Sequence, residues 1–338
     1  MSFFSIIIPA FNVEQYVEEC LDSIEKQTFN DYEVVIVDDA STDGTYSLVK
    51  KCAMNNKRIN ASTIPHVVVG EVRNRAIDIS SGKYLVFVDA DDRLEPDMLQ
   101  RIHDVLEENP ADICFLPNHY VEFVDRIVEH NLIPVFSEDD TFFATREEFI
   151  SFVVKRGGTV PSSMWTAVCN RDLVVEHGIR MDSKFIWSQD SDFMYQVLSK
   201  SQNVAVCGYR GYVWNRKNVI SATRLVTAKK VNSRLDVYKK WYNLLDESCF
   251  GELDYKTADY MKRSLLRNYC EVLTEYSFMK DKKEREIVRS KFEEDKLWDK
   301  DKSLIPEEYA KYGLKLGRES YRIKHYLKVI GEKVKGNK

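Results

Sequence analysis

Apolar and polar positions along the first ninety residues follow two alternating patterns. Ser5-Ile6-Ile7-Ile8, Val34-Val35-Ile36-Val37 and Tyr84-Leu85-Val86-Phe87-Val88 are short unbroken apolar runs, as expected of strands buried on both faces of a parallel sheet. Between them Val17, Cys20, Leu21 and Ile24 recur at helical spacing, as do Leu48, Val49 and Cys52, and Val72, Ala76 and Ile79. Thr42 or Asp43 is a candidate N-cap for the second of these helices, and Gly82 a stop for the third. Val67-Val68-Val69 reads as a further short strand. Strands alternating with helices at this spacing predict an α/β fold with a mostly parallel central sheet and right-handed crossovers.

The pattern is mixed from about 100 to 224. Ile102, Val105 and Leu106 predict a helix ending near Asn109-Pro110, Ile113 to Leu116 a strand, and Phe149 to Lys155 a helix before Gly157-Gly158. Leu173 to Glu176 reads as helix and Asp190-Ser191-Asp192-Phe193 as loop. Val204 to Val206 and Tyr212 to Trp214 read as closing strands. From 225 onward Gly and Pro become scarce and the periodicity turns wholly helical, with Leu244, Leu245, Tyr260, Leu265, Leu266, Tyr269 and Leu273 marking two long helices. Lys280–Lys302 is charge-dense helix or linker. The chain is therefore expected to divide into 1–224, with halves at 1–100 and 101–224, and an all-helical 225–338.

Charge sharpens that division. The formal net charge is −5 over 338 residues, but residues 1–224 hold 22 basic and 34 acidic side chains, and residues 225–338 hold 27 and 20. An acidic main part makes nucleic-acid binding unexpected. The basic end, 315–338, carries an apolar stripe of Ile323, Tyr326, Leu327, Ile330 and Val334. It is read as packing against the α/β part, or as resting peripherally on an anionic membrane. No apolar run approaches the roughly 20 residues of a bilayer span, and Met1-Ser2-Phe3-Phe4 lacks the basic region of a signal peptide. Seven scattered cysteines without a Cys-x-x-Cys pair point to reduced thiols in a cytoplasmic protein. Neither G-x-G-x-x-G nor a P-loop pattern occurs, so those phosphate cradles lose their usual signature.

Two of the three strong strands end in carboxylates, Asp38-Asp39 and Asp89-Ala90-Asp91-Asp92. Ligands of open parallel sheets sit beyond the carboxyl ends of strands. Aspartate is also a common turn former, but two clusters on one sheet edge favour a site. Asp89-x-Asp91 offers hard oxygen ligands suited to Mg²⁺ or Mn²⁺ with water and phosphate oxygens completing the shell. In an acidic, glycine-poor chain, such a cation would let a nucleotide diphosphate bind. Asp38 or Asp39 could accept a hydrogen bond from a base N–H or a ribose hydroxyl.

The segments Ser5-Ile6-Ile7-Ile8-Pro9-Ala10-Phe11-Asn12, Val35 to Thr45, Arg73-Asn74 and Gly82 to Asp92 together resemble glycosyltransferase family 2, inverting nucleotide-sugar transferases of GT-A fold. The resemblance is specific over 1–100, weaker from Trp165 through Asp190 to Ser221, and absent from 225–338. It implies a Rossmann-like GT-A sheet and a UDP-sugar donor. Pro9 and Asn12 would lie in the first nucleotide-binding loop, Asp39 on the uracil N–H and Arg73 beside the base. Asp89 would contact ribose and metal, with Asp91 the main ligand of Mn²⁺ or Mg²⁺. Asp190 would be the general base, Asp192 its fallback, and Arg216 and Lys217 would help hold the diphosphate. The acceptor implied is a glycan hydroxyl, lipid-linked or not, as in bacterial surface polysaccharide assembly at the inner face of the membrane.

The chain departs from the family at Gln189, where Glu is usual; losing that charge reduces any upward push on Asp190. Bland readings stand beside these roles: Asp190 and Asp192 as helix caps, Arg216 and Lys217 as a solvated pair, Trp165 and Trp214 as core. No His shows ligand spacing, and none is given a catalytic role. Two rivals to a transferase are a sugar nucleotidyltransferase, disfavoured by the Gly- and Arg-free loop Pro9 to Val13, and a catalytically silent nucleotide-sugar-binding or assembly subunit. The helices of 225–338 offer an oligomer interface, a membrane dock or an acceptor-site wall.

Overall fold

A computed structural model describes residues 1–133, 136–156, 158, 160–217, 227–245, 250–251, 253–279, 281–295 and 297. The division proposed near Arg224, the stretch around Ser221 and the basic end at 315–338 lie outside the described residues. The chain begins β1 (Phe4–Ala10), α1 (Val17–Glu25), β2 (Tyr32–Asp38), α2 (Thr45–Asn55), β3 (Ile59–Thr63), α3 (Val69–Ile79) and β4 (Tyr84–Phe87). Strands β1 to β4 are all parallel, in the order β3-β2-β1-β4. Alternate residues of β1 enter different cores, Ile7 with Val35 and Ala76 on one face, and Ile6 and Ile8 with Leu21 and Ile24 on the other. Burial on both faces is why these runs are unbroken.

Beyond β4 come β5 (Arg93–Leu94), α4 (Met98–Glu108), β6 (Ile113–Phe115), β7 (Asn118–Glu122), β8 (Ile127–Asn131), β9 (Thr141–Thr145) and α5 (Arg146–Lys155). They are followed by a 3₁₀ turn at Met164–Thr166, β10 (Ala167–Asn170), α6 (Arg171–Glu176), α7 (Gln189–Lys200), β11 (Asn203–Cys207) and β12 (Tyr212–Asn215). Antiparallel β10 joins β4 to β6, and β11 and β9 complete an eight-stranded sheet. A second sheet runs β5-β12-β7-β8. Helices α8 (Ala228–Leu244), α9 (Tyr255–Phe278) and α10 (Lys282–Asp295) follow. Val231, Leu235, Leu265 and Leu266 belong to the same apolar cluster as Ile7 and Leu85. The helical region is therefore packed into the α/β core.

Four local expectations are corrected. Val67-Val68-Val69 is not a strand: Val69 opens α3, and the fourth parallel strand is Ile59–Thr63, whose edge position leaves Asn60 and Thr63 exposed. The N-cap of α2 is Gly44 rather than Thr42 or Asp43, Asp43 instead accepting from the Thr45 N–H at 3.0 Å. Helix α3 ends at extended Ser80, before Gly82. Gly82 is needed for close approach, since a Cβ there would lie 2.6 Å from the Ser5 nitrogen. Asp190 to Phe193 is the first part of α7 rather than a loop; its polar start conceals a helix whose Phe193, Val197 and Leu198 are buried. Strands β5, β7, β8, β9 and β10 are not evident in the sequence, being short or having mixed polarity. Among the described residues, Cys20, Cys52, Cys114, Cys169 and Cys207 are free thiols.

Candidate active site

Strand β1 pairs with β2 through Ala10, but with β4 only through Ile7. The strands diverge where the connections reverse direction, which opens a crevice at the carboxyl ends. Pro9 lies in this divergence, where β4 asks for no amide hydrogen from β1. Among the described residues, the non-glycine positions with positive φ are Asn12 at 51°, Ala40 at 52° and Ser188 at 59°. They stand after β1, after β2 and before α7, and such backbone is tolerated where the surroundings fix it.

The paired aspartates divide their work. Asp38 is buried and accepts from the Ser41 N–H at 3.0 Å and the Thr63 hydroxyl at 3.1 Å, holding the loop after β2. Asp39 accepts from the Val67 N–H at 2.7 Å, and its other oxygen lies 2.8 Å from His66 Nδ1. His66 in turn stacks on exposed Phe11, centroids 4.6 Å apart. Asn12 binds the first two loops together, donating its N–H to Ser41 Oγ and accepting from the Thr42 N–H at 2.8 Å.

After β4 the three carboxylates differ in exposure. Arg73 of α3 donates from Nη2 to Asp89 Oδ1 at 2.6 Å. Asp91 is partly exposed, and its carbonyl accepts from Asn215 Nδ2 at 2.9 Å. Asp92 is buried, accepting from the Tyr212 hydroxyl at 2.5 Å and the Asn215 N–H at 2.7 Å. Burial, then the charges of Asp89 and Asp91, push the Asp92 pKa well up. Among the described residues no three His, Cys, Asp or Glu side chains form a cation cage. The donor set fits a hard cation held by one or two carboxylates, with water and phosphate supplying the rest.

Asp190 lies in the first turn of α7. Burial raises its pKa and Arg73 opposes this, with the Asp89 charge adding to the rise. These electrostatic contacts bring Asp190 into the neighbourhood of the strand-end group. Beside it, Gln189 is buried, its Oε1 unpartnered among the described residues, and it occupies the space a side chain at Gly70 would need. Asp192 is sealed: Oδ1 accepts from Lys240 Nζ at 2.6 Å and Trp241 Nε1 at 2.8 Å, and Oδ2 from Gln196 at 3.0 Å. That arrangement suits an anchor rather than a proton acceptor. The Ser233 hydroxyl also brackets Trp187, accepting from its N–H at 3.1 Å and donating to its carbonyl at 2.7 Å. Helix α8 thus grips the approach to α7 at two points.

Arg216 and Lys217 follow β12. Lys217 Nζ lies 2.9 Å from Glu122, which Arg93 also binds, and the Arg216 guanidinium covers the Trp214 ring at 4.6 Å. Trp165 stacks on Tyr212, centroids 4.8 Å apart. The structure therefore gathers Pro9, Asn12, Asp39, Arg73, Asp89, Asp91 and Asp190 around the strand ends, and sets Arg216 and Lys217 on the second sheet. Tyr212, Asn215, His66, Lys240 and Trp241 were missed by sequence reasoning. They reach the site across long chain separations that no linear spacing records.

Residues 5–162 match the profile of Glycosyl transferase family 2. The uncharacterized glycosyltransferase EpsJ of Bacillus subtilis is 26% identical over 280 residues, 79% of this chain and 78% of that protein. The poly(ribitol-phosphate) beta-glucosyltransferase of Bacillus spizizenii is 39% identical over 113 residues, 32% of this chain and 18% of that one. S. aureus TarS 1–349, solved in complex with UDP-GlcNAc, has the same fold at TM-score 0.69 and 20% identity, covering 91% of this chain and 82% of TarS. With a mixed α/β sheet of GT-A type, residues 5–162, just under half of the chain, are the part that matches glycosyltransferase family 2.

Proposed function

We propose that the protein transfers a sugar from a UDP-sugar to a hydroxyl of a glycan acceptor, with inversion at the anomeric carbon, in bacterial surface polysaccharide assembly. The observation that carries this reading is Asp190, a carboxylate with raised pKa on a helix start, electrostatically coupled to the Arg73–Asp89 pair at the end of β4. A base with that shift holds a proton better than an exposed Asp does. Asp190 takes the acceptor hydroxyl proton as the oxygen bonds to the anomeric carbon. As that bond forms on one face, the anomeric carbon's bond to the diphosphate breaks on the other, and UDP leaves with the bonding electron pair.

Asp39 and Arg73 would orient the uridine, and Asp89 and Asp91 would hold Mn²⁺ or Mg²⁺. The cation would neutralise the diphosphate and stabilise it as it departs. TarS, the fold relative, has been solved with UDP and with UDP-GlcNAc, which supports a uridine donor. Among the described residues no helix is long and apolar enough to cross a membrane. Contact with the acceptor's membrane is assigned to the basic end at 315–338.

Incubating the protein with UDP-sugars and Mn²⁺, with and without glycan acceptors, and following UDP release is the direct test. Transfer that is abolished in Asp190→Asn, with UDP affinity retained, is the expected outcome. A protein that binds UDP-sugars but releases no UDP with any acceptor is a nucleotide-sugar-binding subunit instead.

A further inference from the structure

A cavity of about 160 Å³ lies where the 160–163 segment, α7 and α9 meet. At a share of roughly 30 Å³ per water, it has room for ~5 waters, the scale of one sugar ring rather than an oligosaccharide. Ser163, Tyr195, Ser264 and Asn268 line it, and none of their side chains has a hydrogen-bond partner among the described residues. The Tyr195 and Tyr260 side chains and Leu265 supply apolar surface, and no described charged residue lines the cavity. Unpaired hydroxyl and amide groups beside aromatic rings suit a neutral polyhydroxylated ligand, whereas a phosphate would find no cation there.

Its position relative to Asp190 is equally informative. Ser162, which also lines the cavity, has its hydroxyl 3.2 Å from that of Ser191, the residue after Asp190. Tyr195 is one helical turn further along α7. We propose that this cavity is an acceptor subsite for one neutral sugar or polyol unit, with α9 supplying one of its walls. The proposal rests on the transferase reading. It makes the helical region, which the family profile does not reach, a determinant of acceptor choice.

The full chain is titrated with methyl β-glucoside, methyl β-galactoside, methyl N-acetyl-β-glucosaminide and xylitol, followed by saturation-transfer difference NMR. UDP affinity with Mn²⁺ is measured on the same samples. At least one probe is expected to bind, and Ser264→Leu and Asn268→Leu are each expected to weaken it at least tenfold with UDP affinity unchanged. Ser163→Ala, which removes only the hydroxyl oxygen, is expected to weaken it severalfold and decides the matter if the leucine variants do not fold. No binding of any probe, or binding indifferent to these substitutions, overturns the subsite. Probe binding lost with the substitutions in a protein that ignores UDP keeps the saccharide site and rejects the transferase reading.

Discussion

The indole N–H of Trp241 donates to Asp192 Oδ1 at 2.8 Å, joining α8 to the helix that starts with the candidate base. Asp192 is fully buried, so the bond serves a charge removed from water. Trp241→Phe should cost about 1.5–3 kcal/mol of stability, the range for a hydrogen bond to a charged group. Because Asp192 stands two residues after Asp190, kcat should fall more than donor KM rises. Thermal unfolding and steady-state kinetics on one preparation check both. A variant with normal kcat would make Trp241 a purely structural tie.

Asp190 must be ionised to accept a proton. Its pKa is raised, so transfer should be lost as pH falls through a value above that of an exposed Asp, and be full on the alkaline side. Gln189→Glu places a carboxylate beside it, raising its pKa further and moving the acid limb of kcat to higher pH. The new carboxylate would be buried against Gly70 and should also cost about 1–3 kcal/mol. A kcat–pH profile of the two proteins tests the assignment of Asp190, since an unmoved limb would identify another base.

The Tyr212 hydroxyl accepts from the Asp89 N–H at 3.2 Å while donating to Asp92 at 2.5 Å. Tyr212→Phe leaves buried Asp92 with one partner fewer and frees the backbone of Asp89. A loss of about 1–3 kcal/mol is expected, with weaker Mn²⁺-dependent UDP binding. Calorimetry with and without Mn²⁺ separates the two: metal-independent binding should be unchanged.

Asp91→Ala, or removal of divalent cations with EDTA, should abolish Mn²⁺-dependent tightening of UDP and reduce transfer at least a hundredfold. Restoring Mn²⁺ should rescue the wild type and leave the variant inactive. Full turnover in EDTA would remove the cation from the mechanism.

Much of this site was legible because the early strands are short apolar runs that stop at carboxylates. Burial on both faces of a parallel sheet writes such runs directly into the sequence, and Asp39, Asp89 and Asp91 are found by where the runs end. The acceptor side is written less plainly. Asp190 and Asp192 look alike in sequence, yet one adjoins Arg73 and Asp89 electrostatically and the other is sealed by Lys240 and Trp241. Only packing between segments nearly fifty residues apart separates a base from an anchor. Val67 to Val69 misled for a related reason: β-branched residues favour strands weakly, and here they lead into a helix, with Val67 and Val69 exposed.

Gly70 provides the last test of how α7 is positioned. A Cβ at this residue would lie 2.6 Å from Gln189 Oε1 and 3.0 Å from Met181 Cβ. Gln189 is buried in the first helical turn beside Asp190, and its amide must swing aside to admit the methyl group. Gly70→Ala should therefore cost about 1–3 kcal/mol as overpacking and lower kcat by about tenfold, the equivalent of 1.4 kcal/mol in the barrier. Combining it with Gln189→Ala removes the obstructing amide and should restore most of the lost kcat. Residues in contact are expected to couple in this way. If the double variant is no better than Gly70→Ala alone, the strain enters through Met181 and the path from α3 to Asp190 does not run through Gln189.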